Sequence, residues 1–585
     1  MARLRVEAQS TASRISAKAA AQPPAPTYDE GGRGRVANGE LTDARDFNAL
    51  WDRDAHATTR GVPFQDFDNV GDTLRGKPVF GLTGDFDGNP LNGDQNVRNQ
   101  IDTGLTVAGY QDGIITWGFY DFRTKIGFNG NHEGKGYFQF TDAQKAVAYD
   151  SIAAWDELVS VQFQYQDFDE HDASQWAHGA APDILFANTL SGPAQAWAYY
   201  PGGSGKNVFA RIGSDVWIGE DVSNRVNLWD GGYGETTQIH ELGHTLGLSH
   251  PGNYDFGDDN DGDGVADPIT YVGDAFYFQD TLQYSIMSYF DAYEAGSSWI
   301  DWSVMRFMYS ATPMVHDMWI IQQKYGADTT TRTGDSVYGF NSTSDVTNTA
   351  MKFTTTYEQA AVFSIWDAGG TDTLDLSGYH TPSVIDLREG AYSSAGGWNA
   401  YGTAPADDPS TMSKTDYLAH VNANNAALGM PARTSGLYDN YFTGTAATEG
   451  VSFLNVVGRD LLMENNIGIA YGAIIEDAKG GFGDDRINGN WATNHFWGNG
   501  GADVFVIADY DGTTMAGTLR TDTSVDVIED FDRDQGDKID VSALTHDAAD
   551  VQIVGSDVYV DIGDETVHFV VHGDAVAAGD LFFGS

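Results

Sequence analysis

Helix-like and strand-like stretches alternate over residues 31–325. The segment Thr141-Asp-Ala-Gln144 is a capping-box sequence, and Ala148, Ile152 and Trp155 follow it at helical spacing. Three stretches are predicted to be helices: 141–157, 235–247 and 313–325. Three apolar runs are predicted to be strands: 160–165, 183–187 and 194–200. This mixture indicates an α+β unit.

The pattern changes after Gly326. Gly/Asp turns alternate with short apolar pairs over residues 332–380 and 480–545. Toward the C-terminus apolar residues occupy every second position, as in Val558, Val560 and Ile562. These patterns predict strands, antiparallel ones at the end of the chain. Residues 399–450 are polar and poor in large aliphatic side chains, so we predict an inserted loop region there.

The charge of the chain excludes several kinds of partner. Its 585 residues include 84 acidic and 32 basic side chains, which gives a formal net charge of −52. Such a chain repels phosphate backbones and anionic lipids, so we expect no binding to nucleic acid or to a membrane surface. No apolar run is long enough to predict a transmembrane segment. Because cysteine is absent, any metal must be bound by histidines and carboxylates.

Two explanations of the acidic surplus stay open at this point. The carboxylates could form a solvated surface of the kind found in salty habitats, or many of them could bind Ca²⁺, which prefers oxygen ligands. The 69 glycines favour repeated tight turns. Residues 1–30 lack the continuous apolar stretch of a signal peptide, so we interpret them as a leader or short propeptide.

The strongest chemical signal is the segment His240-Glu-Leu-Gly-His244-Thr-Leu-Gly247-Leu-Ser-His250. On a helix, His240 and His244 are four residues apart and point to one side, where both can bind one ion. Gly247 can adopt a positive φ and turn the chain back so that His250 supplies a third nitrogen. Three imidazoles suit Zn²⁺ with a position left for water, and Glu241 is placed to act as the general base.

This motif resembles that of the metzincin endopeptidases, and HTLGLSHPG is similar to their serralysin branch. The segment Ser285-Ile-Met287-Ser-Tyr289 is similar to the methionine turn of that branch. The resemblance implies a metzincin-like zinc protease domain, a twisted mixed sheet with helices, that hydrolyses extended polypeptides. It also implies that Met287 forms the floor under the zinc and that Tyr289 is a possible fifth ligand, which stabilises the tetrahedral intermediate.

The segment from Ala196 to Pro201 resembles the edge strand that pairs with substrate in this family; an ordinary core strand is the alternative. The substrate-binding residues that the resemblance implies are Ala196, Trp197, Ala198 and Tyr199.

Calcium-binding nonapeptides are the second family signature. Residues 480–488 fit G-G-x-G-x-D-x-U-x, residues 489–497 are a degenerate copy without the Asp, and residues 498–506 form a third. Each nonapeptide makes half a coil, so the first and third should stack on one side and their aspartates could share one Ca²⁺. The resemblance implies an RTX β-roll with these calcium-site residues: Arg332, Gly334, Ser336, Asp367, Gly369, Gly370, Asp372, Glu476, Gly481, Gly483, Asp485, Gly498, Gly500 and Asp503. Gly/Asp surface turns without metal are the alternative.

A further acidic loop has aspartates at alternating positions followed by glycine, as in an EF-hand, but Thr270 stands where the final Glu would be. It is either a Ca²⁺ site or a solvated loop. Its candidate ligands are Asp259, Asp261, Asp263 and Asp267.

The expected organisation has four parts. They are a leader at 1–30, a metzincin-like catalytic domain at 31–326, an all-β RTX domain at 327–545 with an insert at 399–450, and C-terminal strands with a secretion signal at 546–585. The resemblance implies a secreted, calcium-dependent zinc endopeptidase made as a zymogen, acting on proteins, exported by type I machinery and monomeric. The alternatives are a calcium-stabilised surface protein with a relic site, and a cell-surface processing protease whose insert carries targeting.

Overall fold

A computed structural model describes residues 105–107, 113–120, 138–169, 181–190, 195–201, 213–219, 222–252, 254, 269–275, 277–353, 360–398, 414–436, 461–509, 512–513, 519–520, 524–563 and 565–583. The leader at 1–30 and the acidic loop at 259–267 lie outside these residues. None of the helices within them has the length and hydrophobicity needed to span a bilayer.

The N-terminal part contains both helices and strands. Its strands are β1 Ile114–Phe119, β2 Gln162–Tyr165, β3 Ile184–Asn188, β4 Ala196–Ala198, β5 Val216–Ile218, β6 Ile300–Asp301 and β7 Arg306–Phe307. Its helices are α1 Asp142–Asp156, α2 Val222–Val226, α3 Tyr233–Thr245, α4 Tyr271–Asp274 and α5 Val315–Tyr325. The three predicted helices and the three predicted strands are therefore confirmed, each with its ends shifted by a few residues.

Five strands form one sheet in the order β2-β1-β3-β5-β4. All pairs are parallel except β4, which runs antiparallel to β5 at one edge. The capping box of α1 forms as predicted: the Gln144 N–H donates to Thr141 Oγ1 and the Thr141 N–H donates to Gln144 Oε1. Helix α1 then packs on α3, where the fully buried Trp155 donates its indole N–H to the Ile239 carbonyl at 3.1 Å.

The C-terminal part is built almost entirely from short strands. In chain order these are β8 Val337–Gly339, β9 Phe363–Ile365, β10 Thr373–Asp375, β11 Val384–Asp386, β12 Tyr392–Ser393, β13 Gly397–Trp398, β14 Leu461–Leu462, β15 Ile467–Ile469, β16 Asp477–Lys479, β17 Arg486–Asn488, β18 His495–Trp497, β19 Val504–Val506, β20 Gly512–Thr513, β21 Leu519–Arg520, β22 Asp526–Phe531, β23 Lys538–Asp540, β24 Val551–Val554, β25 Asp557–Asp561, β26 Thr566–Gly573 and β27 Leu581–Phe582.

Strands β16 to β19 alternate between two largely parallel sheets. One has the order β24-β25-β26-β22-β18-β16-β10-β8 and the other β11-β17-β19-β23-β27. The first and third nonapeptides thus lie side by side, with β17 parallel to β19, while β18 of the degenerate copy lies in the other sheet. This confirms the predicted stacking. The predicted antiparallel ending is also confirmed, because β24, β25 and β26 pair antiparallel.

The prediction of an inserted loop at 399–450 was wrong in part. A 14-residue helix, α6 Lys414–Ala427, lies within it. Its sequence has few large apolar residues, but Tyr417 and Val421 lie four apart and are both buried. Two apolar contacts therefore anchor a helix whose other contacts are polar.

We expect Trp155→Phe to destabilise the N-terminal part by about 1–3 kcal/mol, because it removes a buried hydrogen bond and part of a buried ring between α1 and α3. Urea denaturation followed by near-UV circular dichroism measures the loss. Trp197→Phe, on the half-exposed edge strand β4, is the matched control and should lose less. Equal losses in the two variants would contradict the role given to Trp155.

Candidate metal centre and active site

Helix α3 and the turn after it bring three histidines together. His240 and His244 lie one helical turn apart, and the helix ends at Thr245 with Leu246 as its C-cap. Gly247 then has φ +91°, and Leu248 N–H donates to the Gly243 carbonyl at 2.9 Å, which turns the chain back toward His250. The candidate ligand nitrogens of the three histidines lie within 4.8 Å of one another, the only such group of three found among the described residues.

Backbone carbonyls orient each imidazole. The Nδ1 atoms of His240, His244 and His250 lie 2.7, 2.8 and 3.0 Å from the carbonyls of Ile286, Leu248 and Tyr254. A carbonyl oxygen can only accept, so each Nδ1 carries the proton and each Nε2 presents a lone pair. The Nε2 atoms of His244 and His250 are 3.2 Å apart. Three unprotonated nitrogens facing one point are a donor set that suits a zinc ion.

The electrostatics of the site favour the neutral form of the two histidines on α3. Burial, followed by the nearby His250, lowers the pKa of His240 to about 3, and the same two causes hold the pKa of His244 well below its ordinary value. Metal binding requires this neutral form. Burial thus favours the metal-binding form of His240 and His244.

Glu241 lies beside the histidines with a carboxylate that lacks a partner. Its side chain is buried, and Oε2 has no hydrogen-bond partner among the described residues. Burial alone raises the pKa of Glu241 to about 8. A cation held by the neighbouring imidazoles would favour the charged carboxylate and lower this pKa again. The orphaned oxygen is thus the polar group to which a water molecule in the site would bind.

The predicted methionine turn lies directly under the helix. Met287 is fully buried, and a Cβ atom built on Gly243 would approach its Sδ to 2.5 Å, so a larger residue at that helix position would displace the methionine side chain. The Tyr289 ring centroid lies 4.3 Å from that of His250 and 6.2 Å from that of His240. The structure therefore brings Met287 and Tyr289 to the histidine cluster.

Two buried carboxylates that support this turn were missed by the sequence analysis. Asp317 of α5 accepts hydrogen bonds from Ser285 Oγ and from the Ile286 N–H, both at 2.6 Å. Ile286 in turn offers its carbonyl to His240. The second carboxylate, Asp280, accepts from the hydroxyl groups of Tyr254 and Ser288 at 2.7 and 2.8 Å.

No local motif marks either aspartate as part of the site. Both are recognisable only through contacts between residues far apart in the sequence.

The candidate substrate-binding residues lie on or next to the sheet edge. Ala196, Trp197 and Ala198 form β4, which packs against α3, and Tyr199 follows it. The next residue, Tyr200, is 40% exposed and sets its ring edge-on against His244 at 5.5 Å between centroids. The edge strand therefore runs past the histidine cluster.

Three of the candidate calcium residues at the start of the C-terminal part have carboxylates that lie close together: Asp367, Asp372 and Glu476. Asp372 N–H donates to Glu476 Oε2 at 2.8 Å, and Ser336 N–H donates to Asp372 Oδ1 at 2.7 Å. Burial, aided by the charges of Asp367 and Glu476, raises the pKa of Asp372 to about 8.

Arg332 lies at the same place and pairs with Glu157 at 2.7 Å, which joins this region to the end of α1. Gly334, Gly369 and Gly370 form the surrounding turns; Gly369 has φ +136°.

In the first and third nonapeptides the aspartates form a chain of hydrogen bonds. Asp485 accepts from the Ser383 N–H at 2.6 Å, its own N–H donates to Asp503 at 2.8 Å, and the Asp503 N–H donates to Asp537 at 3.0 Å. Burial raises the pKa of both Asp485 and Asp503, that of Asp503 to about 7. The turn glycines of this stack are Gly481, Gly483, Gly498 and Gly500.

Asparagines replace aspartates in the degenerate middle turn. Asn494 Oδ1 accepts from the Asn490 N–H at 2.8 Å, as an aspartate would, while its amide donates to the Glu476 carbonyl at 2.9 Å. Asn490 donates to the carbonyls of Leu387 and Ile475. Neutral amides thus satisfy three backbone carbonyls of this turn, where the copy has asparagine in place of aspartate.

We expect Gly247→Ala to weaken metal binding at the histidine cluster at least about tenfold. A Cβ there would collide with the Leu105 carbonyl, and φ +91° strains any other residue, at a cost of about 1–3 kcal/mol. Competition with a chromogenic zinc chelator measures the affinity. Gly555→Ala is the control, because it has φ +69° in open space on a remote hairpin; equal zinc affinities in both variants would contradict the prediction.

Comparison with known proteins finds relatives among the metalloproteases. The family described as Peptidase M10 serralysin C terminal matches residues 327–403 and 448–573 and skips the segment between them. "Serralysin" of Proteus mirabilis is 35% identical over 309 residues, which is 50% of this chain and 55% of that protein. "Serralysin C" of Dickeya chrysanthemi is 44% identical over 205 residues, 35% of this chain and 37% of that protein.

A longer match is found with "Metallopeptidase AprA" of Pseudomonas marginalis, 33% identical over 358 residues, 60% of this chain and 63% of that protein. The chain spans about half the length of the curated relatives that it matches. The resemblance that the motifs predicted is confirmed: the chain is a relative of the serralysin-type metalloproteases and carries their C-terminal domain.

Proposed function

We propose that the chain is a secreted zinc-dependent endopeptidase with a metzincin-like catalytic domain at 31–326. One observation carries the proposal: three imidazoles with protonated, carbonyl-bound Nδ1 atoms direct their Nε2 atoms to one point beside the orphaned carboxylate of Glu241. His240, His244 and His250 would hold the ion. The relatives named "Serralysin" and "Metallopeptidase AprA", and their sequence identity to this chain, support the same proposal of metal-dependent peptide hydrolysis.

A bound zinc ion would act as a Lewis acid toward a peptide carbonyl and lower the pKa of water. The residues of the chain then supply the proton transfers. Glu241 accepts a proton from the attacking water, and the same carboxyl group delivers it to the leaving amine as the peptide bond breaks. Its buried, water-poor surroundings strengthen both steps, because charge interactions are stronger where solvent does not screen them.

Tyr289 is the proposed stabiliser of the developing oxyanion. Its half-buried ring packs beside His250 and His240, so its hydroxyl group can either approach the ion as a further ligand or donate a hydrogen bond to the substrate oxygen. Met287 supports the histidines from below without taking part in proton transfer.

Substrate would bind as an extended peptide along β4. This strand pairs with β5 on one side, and an edge strand offers backbone N–H and C=O groups to a peptide on the other. Such pairing recognises the backbone of the substrate rather than its side chains, which fits a protease that acts on many polypeptides.

Calcium is the proposed structural cofactor of the C-terminal domain, 327–545. The raised pKa values of Asp372 and Asp503 show that packing these carboxylates without a cation is costly. A β-roll whose turns bind Ca²⁺ removes this cost.

Extracellular Ca²⁺ is abundant and cytosolic Ca²⁺ is scarce, so the domain would fold after export. The proposed exporter is type I machinery that recognises 546–585. The leader at 1–30 is the candidate propeptide of a monomeric zymogen.

We expect Glu241→Ala to keep zinc and to lose casein hydrolysis by about 10²- to 10⁴-fold, the range for a general base. A zymogram and metal analysis of the same sample measure both. Glu235→Gln is the control: it lies on the same helix, where Glu235 binds the Gly231 N–H, and it should keep most activity. Full activity of the alanine variant would refute the role of Glu241.

We expect removal of calcium with EGTA to unfold the C-terminal domain at pH 8 and to do so less at pH 5. In the metal-free protein the folded pKa values of Asp372 and Asp503 are raised to about 8 and about 7. Such carboxyl groups stabilise the fold fully only below their unfolded pKa of about 4, and this contribution is lost progressively as the pH rises to the folded values of about 7 and about 8.

Circular dichroism measures the effect on protein that EGTA has freed of calcium at pH 8 and that is then transferred to calcium-free buffers across this range, because EGTA itself binds Ca²⁺ only weakly at pH 5. Calcium should abolish the pH dependence, because it stabilises the charged carboxylates. Unfolding that is greater at pH 5 than at pH 8 without calcium would contradict this explanation.

A further inference from the structure

The segment 414–434 has no role in the function proposed above. It lies in the stretch that the serralysin C-terminal family match skips. It contains α6 and the residues after it, which fold back on the helix: Arg433 N–H donates to Asn422 Oδ1 at 2.6 Å and Asn422 Nδ2 donates to the Arg433 carbonyl at 3.0 Å. The segment is therefore a small unit with its own internal hydrogen bonds.

This unit binds one loop of the N-terminal part through four consecutive carbonyls. The loop, 302–305, joins β6 to β7. Tyr417 Oη, Asn424 Nδ2, Asn425 Nδ2 and Arg433 Nε each donate to a different carbonyl of the loop, all at 2.9 Å; the acceptors in the same order are Trp302, Ser303, Val304 and Met305. Met305 has φ +52°, a conformation that the surrounding contacts must hold.

The next residue, Arg306, connects the unit to the histidine helix. Its Nε donates to Asn425 Oδ1 at 2.6 Å, and its Nη2 donates to the Pro431 carbonyl. The guanidinium carbon lies 5.0 Å from the centroid of the Trp229 ring. Arg306 is only 7% exposed and Trp229 only 8%, so this cation–π contact is shielded from solvent and correspondingly strong.

Trp229 leads directly into α3. Its carbonyl accepts from the Gly232 N–H at 2.7 Å, and Gly232 is the N-cap of the helix. Residues shortly after Arg306 also bind the N-terminal end of α3. Tyr309 N–H donates to the Gly231 carbonyl at 2.9 Å, and Thr236 Oγ1 donates to the Ser310 carbonyl at 2.8 Å. The N-terminal turn of α3 is thus fixed by residues that the unit 414–434 holds in place.

We propose that the unit 414–434 positions the histidine helix of the catalytic site, with Arg306 as the positioning residue that joins the two. The expected effect on catalysis rests on the proposed function. The positioning of α3 by the unit 414–434 does not depend on it. Residues Tyr417, Val421, Asn424 and Asn425 are buried against the N-terminal part, so the contact face of α6 is occupied within the chain and is not a surface for a targeting partner.

The test compares three variants of the full, calcium-loaded chain. Asn425→Leu removes the acceptor for Arg306 and the donor to Val304; Asn425→Asp keeps the acceptor and should restore the position of Arg306. Ala423→Ser lies on the exposed face of the same helix and is the control. Hydrogen exchange of amides in 229–237, the rate of zinc release to a chelator and the separate values of kcat and KM are measured.

For Asn425→Leu we expect amide exchange in 229–237 and zinc release to rise about tenfold, as for a lost buried hydrogen bond, and kcat to fall while KM stays constant. Asn425→Asp keeps the acceptor for Arg306 but loses the donor to Val304, so its increases should be smaller than those of Asn425→Leu. Ala423→Ser should resemble the unchanged protein. Faster exchange confined to 300–307, or spread evenly over the whole chain, would overturn the proposal.

If Asn425→Leu does not fold, Arg306→Lys decides the question, because it keeps the charge but cannot bind Asn425 and Pro431 together while covering Trp229. Unchanged exchange in 229–237 of that variant would also overturn the proposal. If the protein without substitutions binds zinc but cleaves no protein, only the proposed function is refuted. The positioning role is still tested, because amide hydrogen exchange and zinc release do not depend on catalytic turnover.

Discussion

The bond between each imidazole Nδ1 and a backbone carbonyl is the interaction on which the site depends. A histidine can bind a metal through either nitrogen, and two of the three lie on a helix that alone would let their rings rotate. The carbonyls of Ile286, Leu248 and Tyr254 remove that freedom and select the same tautomer three times. Because those carbonyls belong to the methionine turn, the helix end and the following loop, the surrounding fold is arranged to hold them still.

Much of this arrangement could be predicted from local sequence. The spacing of His240 and His244, the glycine at 247 and the later His250 are short-range signals, and the φ of +91° at Gly247 is what that glycine indicated. The nonapeptides likewise specify their own half-turns, so the pairing of β17 with β19 followed from the sequence. In each case the determining contacts lie within a few residues.

What could not be predicted depends on contacts between distant residues. Asp317 and Asp280 are ordinary aspartates until the fold brings them under the methionine turn. Helix α6 was missed for a different reason: its asparagines are poor helix formers and look like loop residues, yet Asn424 and Asn425 are buried because they match carbonyls of the loop at 302–305. Polar complementarity of this kind leaves no hydrophobic periodicity to detect.

The position of Asp317 has a consequence for biosynthesis. The ribosome makes all three histidines before it makes helix α5, whose carboxylate fixes the backbone of Ile286 and so the ring of His240. A growing chain therefore holds its ligands for some time without the group that aligns the first of them. Under the proposed function, hydrolytic competence would come only after α5 has emerged, and a truncated product that ends soon after the third histidine would lack it.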